Sequence, residues 1–92
     1  MKFISHRRNT IEELKATPRE YGIEVDIRSN DGELMIHHDP LASGEYFEVW
    51  LKYYHHGTLI LNVKEEGLEA RLIELMQQHH ITDYFFLESR KK

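Results

Sequence analysis

The sequence predicts a single α/β domain in which parallel strands alternate with helices. Segments with strand-like composition alternate along the chain with segments whose apolar residues have helical spacing, in the order β-α-β-hairpin-α-β-α-β. Alternation of this kind is typical of βαβ units, whose strands are parallel and whose crossovers are right-handed. The run "TLILNV" is almost continuously apolar, as expected of a parallel strand that is buried on both faces.

The first half of the chain is predicted to form a strand, a helix and then two strands joined as a hairpin. "KFISH" indicates a short first strand, and Asn9 or Thr10 can cap the helix that follows. Pro18 should end that helix near Thr17, because a residue before proline is disfavoured in the helical conformation. "GIEVDIR" alternates apolar and polar residues with a period of two, which predicts a strand. "SNDG" then favours a tight turn into a returning strand, "ELMIHH".

The second half is predicted to contain two helices and two strands. "EYFEVWLKYYHHG" has apolar residues at helical spacing, and Gly57 is suited to end that helix. "EEGLEARLIELMQQHH" predicts the clearest helix, because its leucines form one apolar stripe with Met76. The strands "TLILNVK" and "ITDYFFLES" follow the two helices in turn.

Composition and charge limit the classes of protein to which the chain can belong. Its 92 residues suit one domain, residues 1–92, and 40% hydrophobic with 30% charged residues is typical of a globular protein. A formal net charge of −4 argues against non-specific nucleic-acid binding. No apolar run approaches the ~20 residues of a membrane span, and the first residues do not resemble a signal peptide. For these two reasons we expect a cytoplasmic protein. Because the chain has no cysteine, disulfides and thiolate metal sites are excluded.

Polar residues recur where the predicted parallel strands end, and functional residues of parallel α/β folds collect at such ends. Residues two apart on a strand point to the same face, so two carboxylates and an amide could converge there on Mg²⁺ or Ca²⁺. The alternation alone also allows a second interpretation, in which the carboxylates form the solvent face of an antiparallel hairpin. The polar residues are His6 and Arg7 on the first strand, Glu24 and Asp26 on the second, and Asn62 and Lys64 on the third.

Six of the seven histidines form three adjacent pairs. A pair of metal-binding histidines on a helix has i, i+4 spacing, and adjacent residues on a strand point to opposite faces. We therefore interpret His55, His56, His79 and His80 as solvated ends of secondary-structure elements.

Four short motifs together resemble the glycerophosphodiester phosphodiesterase family. The motifs are "SHR", "EVDIR", "DGELMIHHDP" and "LILNVK". The family pattern is a His-Arg pair, Glu-x-Asp, Asp-Gly followed by an apolar run and His-Asp, and a strand ending in Glu-x-Lys. Its order and spacing match nearly the whole chain, although each motif is short.

The resemblance implies a TIM barrel that hydrolyses glycerol-linked phosphodiesters with one divalent metal ion, Mg²⁺ or Ca²⁺. His37 precedes the family's histidine and is interpreted as structural. The residues implied by motif position are the metal ligands Glu24, Asp26 and Asn62, the general acid/base pair His6 and His38, and the phosphate-side cations Arg7 and Lys64.

Three features depart from the family pattern. Asn62 stands where the family has a glutamate, and Arg8 stands where it has a glycine. The third departure is length, because a complete barrel needs about 250 residues and this chain has 92. We therefore expect half of a (β/α)8 TIM barrel, with four parallel strands, their helices and a β-hairpin after strand 2. Oligomerisation with itself or binding of the missing C-terminal half would complete it.

Two functions follow from these expectations. The first is a truncated or engineered half barrel with weak or lost metal-dependent phosphodiesterase activity on a small phosphodiester. The alternative is a non-catalytic, self-associating α/β scaffold or interaction domain, in which the polar residues are remnants.

Overall fold

The structure is a computed structural model that describes residues 3–5, 9–36 and 44–88, apart from the side chain of Glu88. The described chain forms one sheet and three helices. The strands are β1 (Ile4–Ser5), β2 (Gly22–Asn30), β3 (Glu33–Ile36), β4 (Glu45–Tyr46), β5 (Leu59–Val63) and β6 (Tyr84–Glu88). The helices are α1 (Ile11–Lys15), α2 (Phe47–Leu51) and α3 (Glu69–Gln78).

The sheet is mixed. Its strand order is β4-β3-β2-β5-β6, and β1 pairs with the beginning of β2 on the side away from β5. The pairs β1–β2, β2–β5 and β5–β6 are parallel, whereas β2–β3 and β3–β4 are antiparallel. No helix in the described part of the chain is long and apolar enough to cross a membrane.

The predicted fold class, half of a TIM barrel built from four parallel strand-helix units, is wrong. The described chain is mostly sheet, and two of its six strands run antiparallel to their neighbours. The hairpin after β2 was predicted, and its turn is formed by Asp31 and Gly32, which both have positive φ, 53° and 82°. Two such residues in succession form the turn that matches the twist of a hairpin, so β3 returns directly along β2. The difference arises after β3, where the chain adds β4, an unpredicted antiparallel strand, to the hairpin before the next helix.

The individual helices and strands agree with the sequence-based predictions better than the fold class does. α1 ends before Pro18, and Thr10 caps it by accepting a hydrogen bond from the backbone N–H of Glu13 at 3.0 Å. α3 lies within the predicted helix. α2 is much shorter than its predicted segment, which also contributes β4, a strand that was not predicted.

One face of the sheet carries the apolar core. The inward residues of β2 are Ile23, Val25 and Ile27, and each is fully buried. They belong to one cluster with apolar residues of β5 and of all three helices, including Leu14 of α1 and Trp50 of α2. The helices therefore cover this face, and the next residue along each strand points to the opposite face.

Candidate functional site

The face of the sheet opposite the helices carries the predicted carboxylates. Glu24 and Asp26 lie on β2, and the β2–β5 ladder places Asp26 directly beside Asn62 of β5. Their exposed fractions are 8% for Glu24, 1% for Asp26 and 7% for Asn62. The interpretation of the two carboxylates as a solvent face is therefore wrong, because both are buried in a parallel part of the sheet.

Asp26 is held by a residue that the sequence did not single out for the site. Among the described residues, β1 pairs with Gly22 and Ile23, and β3 pairs with β2 from Ile27 onward, so neither strand reaches Asp26 on that side. The side chain of Asn9 contacts Asp26 instead. Its Nδ2 donates to Asp26 Oδ2 at 3.0 Å, and its Oδ1 accepts from the backbone N–H of Asp26 at 3.1 Å.

Asn9 was considered only as a cap for α1, a role that Thr10 takes. A local pattern does not report a contact between residues 17 positions apart. The approach of Asn9 to Asp26 depends on how β1 and β3 pair with β2, which is a matter of sheet register.

Lys64 compensates the charge of Asp26. Its Nζ lies 3.5 Å from Asp26 Oδ1, and the Asp26 side chain is almost completely buried. The backbone N–H of Lys64 donates to the carbonyl of Ile27 at 3.0 Å, which continues the β2–β5 ladder by one step. The lysine is therefore positioned by the sheet and turns toward the carboxylate face, as its spacing from Asn62 predicts.

Glu24 and Asn62 are in contact on the same face. Asn62 Nδ2 donates to Glu24 Oε2 at 3.3 Å, so the amide presents its nitrogen to the carboxylate. Coordination of a cation by Asn62 would require the amide to turn over and present Oδ1 instead. The contact shows that the two side chains are adjacent on this face.

The donor set of this face suits a hard divalent cation. Carboxylate and amide oxygens are the ligands that Mg²⁺ and Ca²⁺ prefer. Glu24, Asp26 and Asn62 are the residues that would hold it. Among residues 3–5, 9–36 and 44–88, no group of three His, Asp or Glu side chains could hold a metal ion. The three-residue site therefore depends on the amide of Asn62 as its third ligand.

The structure brings together four of the seven predicted site residues. Glu24, Asp26, Asn62 and Lys64 lie on one face of two adjacent strands. The predicted residues His6, Arg7 and His38 lie outside the described residues, as do His37 and Arg8.

The other two histidine pairs lie at the opposite end of the parallel strands. His55 and His56 precede β5, and His79 and His80 precede β6. Together with Asp83 they border a cavity of about 410 Å³. His56 Nε2 lies 2.9 Å from the carbonyl oxygen of Thr17. All four rings are exposed or half-buried, in agreement with their interpretation as ends of elements.

The phosphodiesterase resemblance rests on motifs that the described chain contains only in part. "EVDIR" forms the center of β2, and "LILNVK" forms β5 and the residue after it. Comparison with models of protein families, with curated proteins and with solved structures found no match.

Proposed function

We propose that this chain is a metal-dependent phosphodiesterase whose metal ligands are Glu24, Asp26 and Asn62. The observation that carries the proposal is the meeting of two buried carboxylates and an amide on one face of adjacent parallel strands. Mg²⁺ or Ca²⁺ is the expected cofactor, because all the donors are oxygen atoms.

The cost of burying these carboxylates supports a functional interpretation. Removing an ionised carboxylate from water costs several kcal/mol, and a partner charge offsets this only in part. The opposite face of β2 shows that apolar residues pack well in this sheet. A cluster of buried acidic groups is therefore better explained by a ligand than by stability, since functional sites are where such groups concentrate.

The chemistry requires positive charge beside the substrate. A phosphodiester anion resists attack because its negative charge repels the nucleophile, and cations offset that charge. When bound, the metal ion would polarise the phosphoryl oxygens. Lys64 would add a second positive charge on the same side, beyond the one that it provides to Asp26.

Hydrolysis also needs two proton transfers. The oxygen of a water molecule forms a bond to phosphorus as the bond between phosphorus and the leaving alkoxide oxygen breaks. The water gives up a proton and the leaving alcohol gains one. His6 and His38 are proposed for these transfers, since imidazole has a pKa near neutrality.

Asn62 should make the activity weak. An amide oxygen can coordinate a hard cation, but it lacks the charge of the glutamate in the family pattern, so metal affinity should fall. We further propose a cytoplasmic location and a small glycerol-linked phosphodiester as substrate, without nucleic acid or membrane as partner.

The proposal is tested by the turnover of a glycerophosphodiester and of bis(4-nitrophenyl) phosphate with added Mg²⁺ or Ca²⁺. We expect slow hydrolysis that chelation stops and that Glu24→Gln and His6→Ala reduce at least tenfold. Glu48→Gln is the matched control, because Glu48 is exposed and forms its ion pair with Arg71 away from the site. Hydrolysis that resists chelation, or that Glu24→Gln leaves unchanged, would reject the proposal.

A second candidate, self-association without catalysis, is favoured by the apolar residues of the same sheet face. Ile4, Phe85 and Leu87 lie on this face and are 40%, 50% and 43% exposed. Two of them lie on β6, at the end of the strand order, and a strand edge can pair with another chain. A second copy of this chain is the proposed partner, because pairing two β6 edges would bring both apolar surfaces together.

Light scattering tests this second candidate. We expect a dimer or larger oligomer that Leu87→Arg dissociates, while Ile73→Arg on the exposed part of α3 leaves it intact. A folded monomer at high protein concentration would contradict self-association.

A further inference from the structure

We propose that Arg28 binds the phosphate group of the substrate together with Lys64. This inference rests on the proposed function and adds a residue that the phosphodiesterase motifs do not assign. The two cations would form a phosphate-binding pair at the carboxyl ends of β2 and β5, beside the carboxylates Glu24 and Asp26.

The sheet register places the two cations next to each other. Arg28 lies two residues after Asp26 on β2, and Lys64 lies two residues after Asn62, so both belong to the carboxylate face. The β2–β5 ladder ends with the pair Ile27 and Val63, and Arg28 and Lys64 are the next residues on each strand.

Two contacts confirm that the ladder geometry extends to this position. The backbone N–H of Lys64 donates to the carbonyl of Ile27 at 3.0 Å, which continues the hydrogen-bond pattern. The Nζ of Lys64 lies 3.5 Å from Asp26 Oδ1, which shows that the lysine side chain turns to this face. Neighbouring strands are about 4.8 Å apart, so the long side chains of Arg28 and Lys64 can reach one ligand.

The surroundings of Arg28 favour a strong interaction with an anion. Arg28 is half-buried, and on its other side the β2–β3 register places Met35, which is nearly buried. An apolar neighbour limits the access of water, and a charge interaction is stronger where water is excluded.

The charges of the face also point to an anionic ligand. Beside this position, Glu24 and Asp26 contribute two negative charges, and Arg28 and Lys64 contribute two positive charges; Glu33, on the same face but nearer the turn, is exposed to solvent. A divalent cation on the carboxylates would therefore leave an excess of positive charge on this face. A phosphate group can satisfy it, because guanidinium binds two phosphate oxygens side by side and lysine adds a point charge.

The competing explanation is that Arg28 only neutralises the carboxylates of its own strand. In that case Arg28 would stabilise the fold only. An Arg28 variant that is still folded would then bind an anion as tightly as the wild type does. The two explanations differ in the binding of inorganic phosphate by folded protein.

Calorimetric titration with inorganic phosphate tests the inference on the full chain, with Arg28→Met, Arg28→Lys and the control Arg71→Met. We expect Arg28→Met to weaken phosphate binding about tenfold and Arg28→Lys to weaken it less, since lysine keeps the charge but not the paired donors. Arg71 is exposed and bonded to Glu48, so Arg71→Met should bind as the wild type does. Circular dichroism establishes whether each variant is folded. If Arg28→Met does not fold, the comparison of Arg28→Lys with the wild type provides the test.

Equal phosphate affinity in the wild type and both Arg28 variants would overturn the inference, as would a wild-type chain that does not bind phosphate. Repeating the titration with Mg²⁺ tests the phosphate pair and the proposed metal site separately. The Arg28 effect should appear with and without Mg²⁺, whereas tighter wild-type binding with Mg²⁺ is required only by the metal site. An Arg28 effect without a Mg²⁺ effect would support the phosphate pair and reject the metal site.

Discussion

Asn9 and Asp26 are joined by two hydrogen bonds that fix both the backbone and the carboxylate of Asp26. The Asn9 amide donates to Asp26 Oδ2 at 3.0 Å and accepts from the Asp26 backbone N–H at 3.1 Å. Asn9 thus gives the backbone N–H and one carboxylate oxygen of Asp26 a partner on the side away from β5. Asn9, two residues before the start of α1, thereby sets the orientation of a proposed metal ligand.

Asn9→Ala should destabilise the fold strongly. It removes the partner of a buried carboxylate oxygen and of a buried backbone N–H, and each unsatisfied group costs about 1–3 kcal/mol. Urea unfolding measures the loss in the free energy of unfolding. Asn30→Ala, at the exposed end of β2, is the control and should change it by less than about 0.5 kcal/mol. Similar losses in the two variants would contradict the role of Asn9.

Lys64→Met should cost more stability than Arg71→Met. Asp26 and Lys64 have side chains that are 2% and 18% exposed, whereas those of Glu48 and Arg71 are 48% and 42% exposed. Breaking a fully buried pair costs about 3–5 kcal/mol, and the partial exposure of Lys64 lowers our expectation to about 2 kcal/mol. An exposed pair contributes about 0–1 kcal/mol. Urea unfolding compares the two variants, and equal losses would show that Lys64 does not compensate a buried charge.

Asn62→Glu should make stability depend on the metal ion. With chelator present, a third carboxylate beside Glu24 and Asp26 should lower the free energy of unfolding by about 1–3 kcal/mol, because like charges repel. Saturating Mg²⁺ should restore it, by about 2.7 kcal/mol at a concentration 100 times the Kd. Thermal unfolding with and without Mg²⁺ measures both effects. Gln77→Glu, on the exposed part of α3, should show no such dependence. If Asn62→Glu shows neither the loss nor its recovery with Mg²⁺, the result contradicts the metal site.

Tyr54 should make the fold sensitive to alkaline pH. Burial, reinforced by the charge of Asp83, raises the pKa of Tyr54 above its ordinary value, and its hydroxyl donates to the carbonyl of Gly57. The unfolded chain therefore loses this proton at lower pH than the folded chain does. The stabilisation is complete below about pH 10 and is lost as pH rises beyond it, by up to about 1.4 kcal/mol per pH unit.

Tyr54→Phe removes this titration and tests its sign. At neutral pH it should cost about 1 kcal/mol for the lost hydrogen bond. Above pH 10 the difference from the wild type should narrow, whereas the exposed control Tyr46→Phe should keep the wild-type pH dependence. Urea unfolding across pH 7–11 measures this, and a constant difference would contradict the assignment to Tyr54.

Local features of the chain were predictable because they depend on neighbouring residues. The period-two alternation of "GIEVDIR" predicted β2, and the same alternation placed Glu24 and Asp26 together on one face. Pro18 predicted the end of α1. The turn residues Asp31 and Gly32 predicted the hairpin.

The sheet as a whole was not predictable in the same way. β4 consists of two residues that pair with the edge of the hairpin. The apolar residues of "EYFEVWL" have helical spacing, so this sequence predicts a helix where β4 forms. The contact of Asn9 with Asp26 depends on the register in which β1 and β3 pair with β2. Long-range pairing decides both features, and no local pattern reports it.

Calorimetric titration with Mg²⁺ tests most directly whether Glu24 and Asp26 hold a divalent cation. We predict weak binding to one site per chain in the wild type and in Glu48→Gln, and at least tenfold weaker binding in Glu24→Gln. An absence of Mg²⁺ binding to the wild type, or equal affinity in Glu24→Gln, would contradict the metal site.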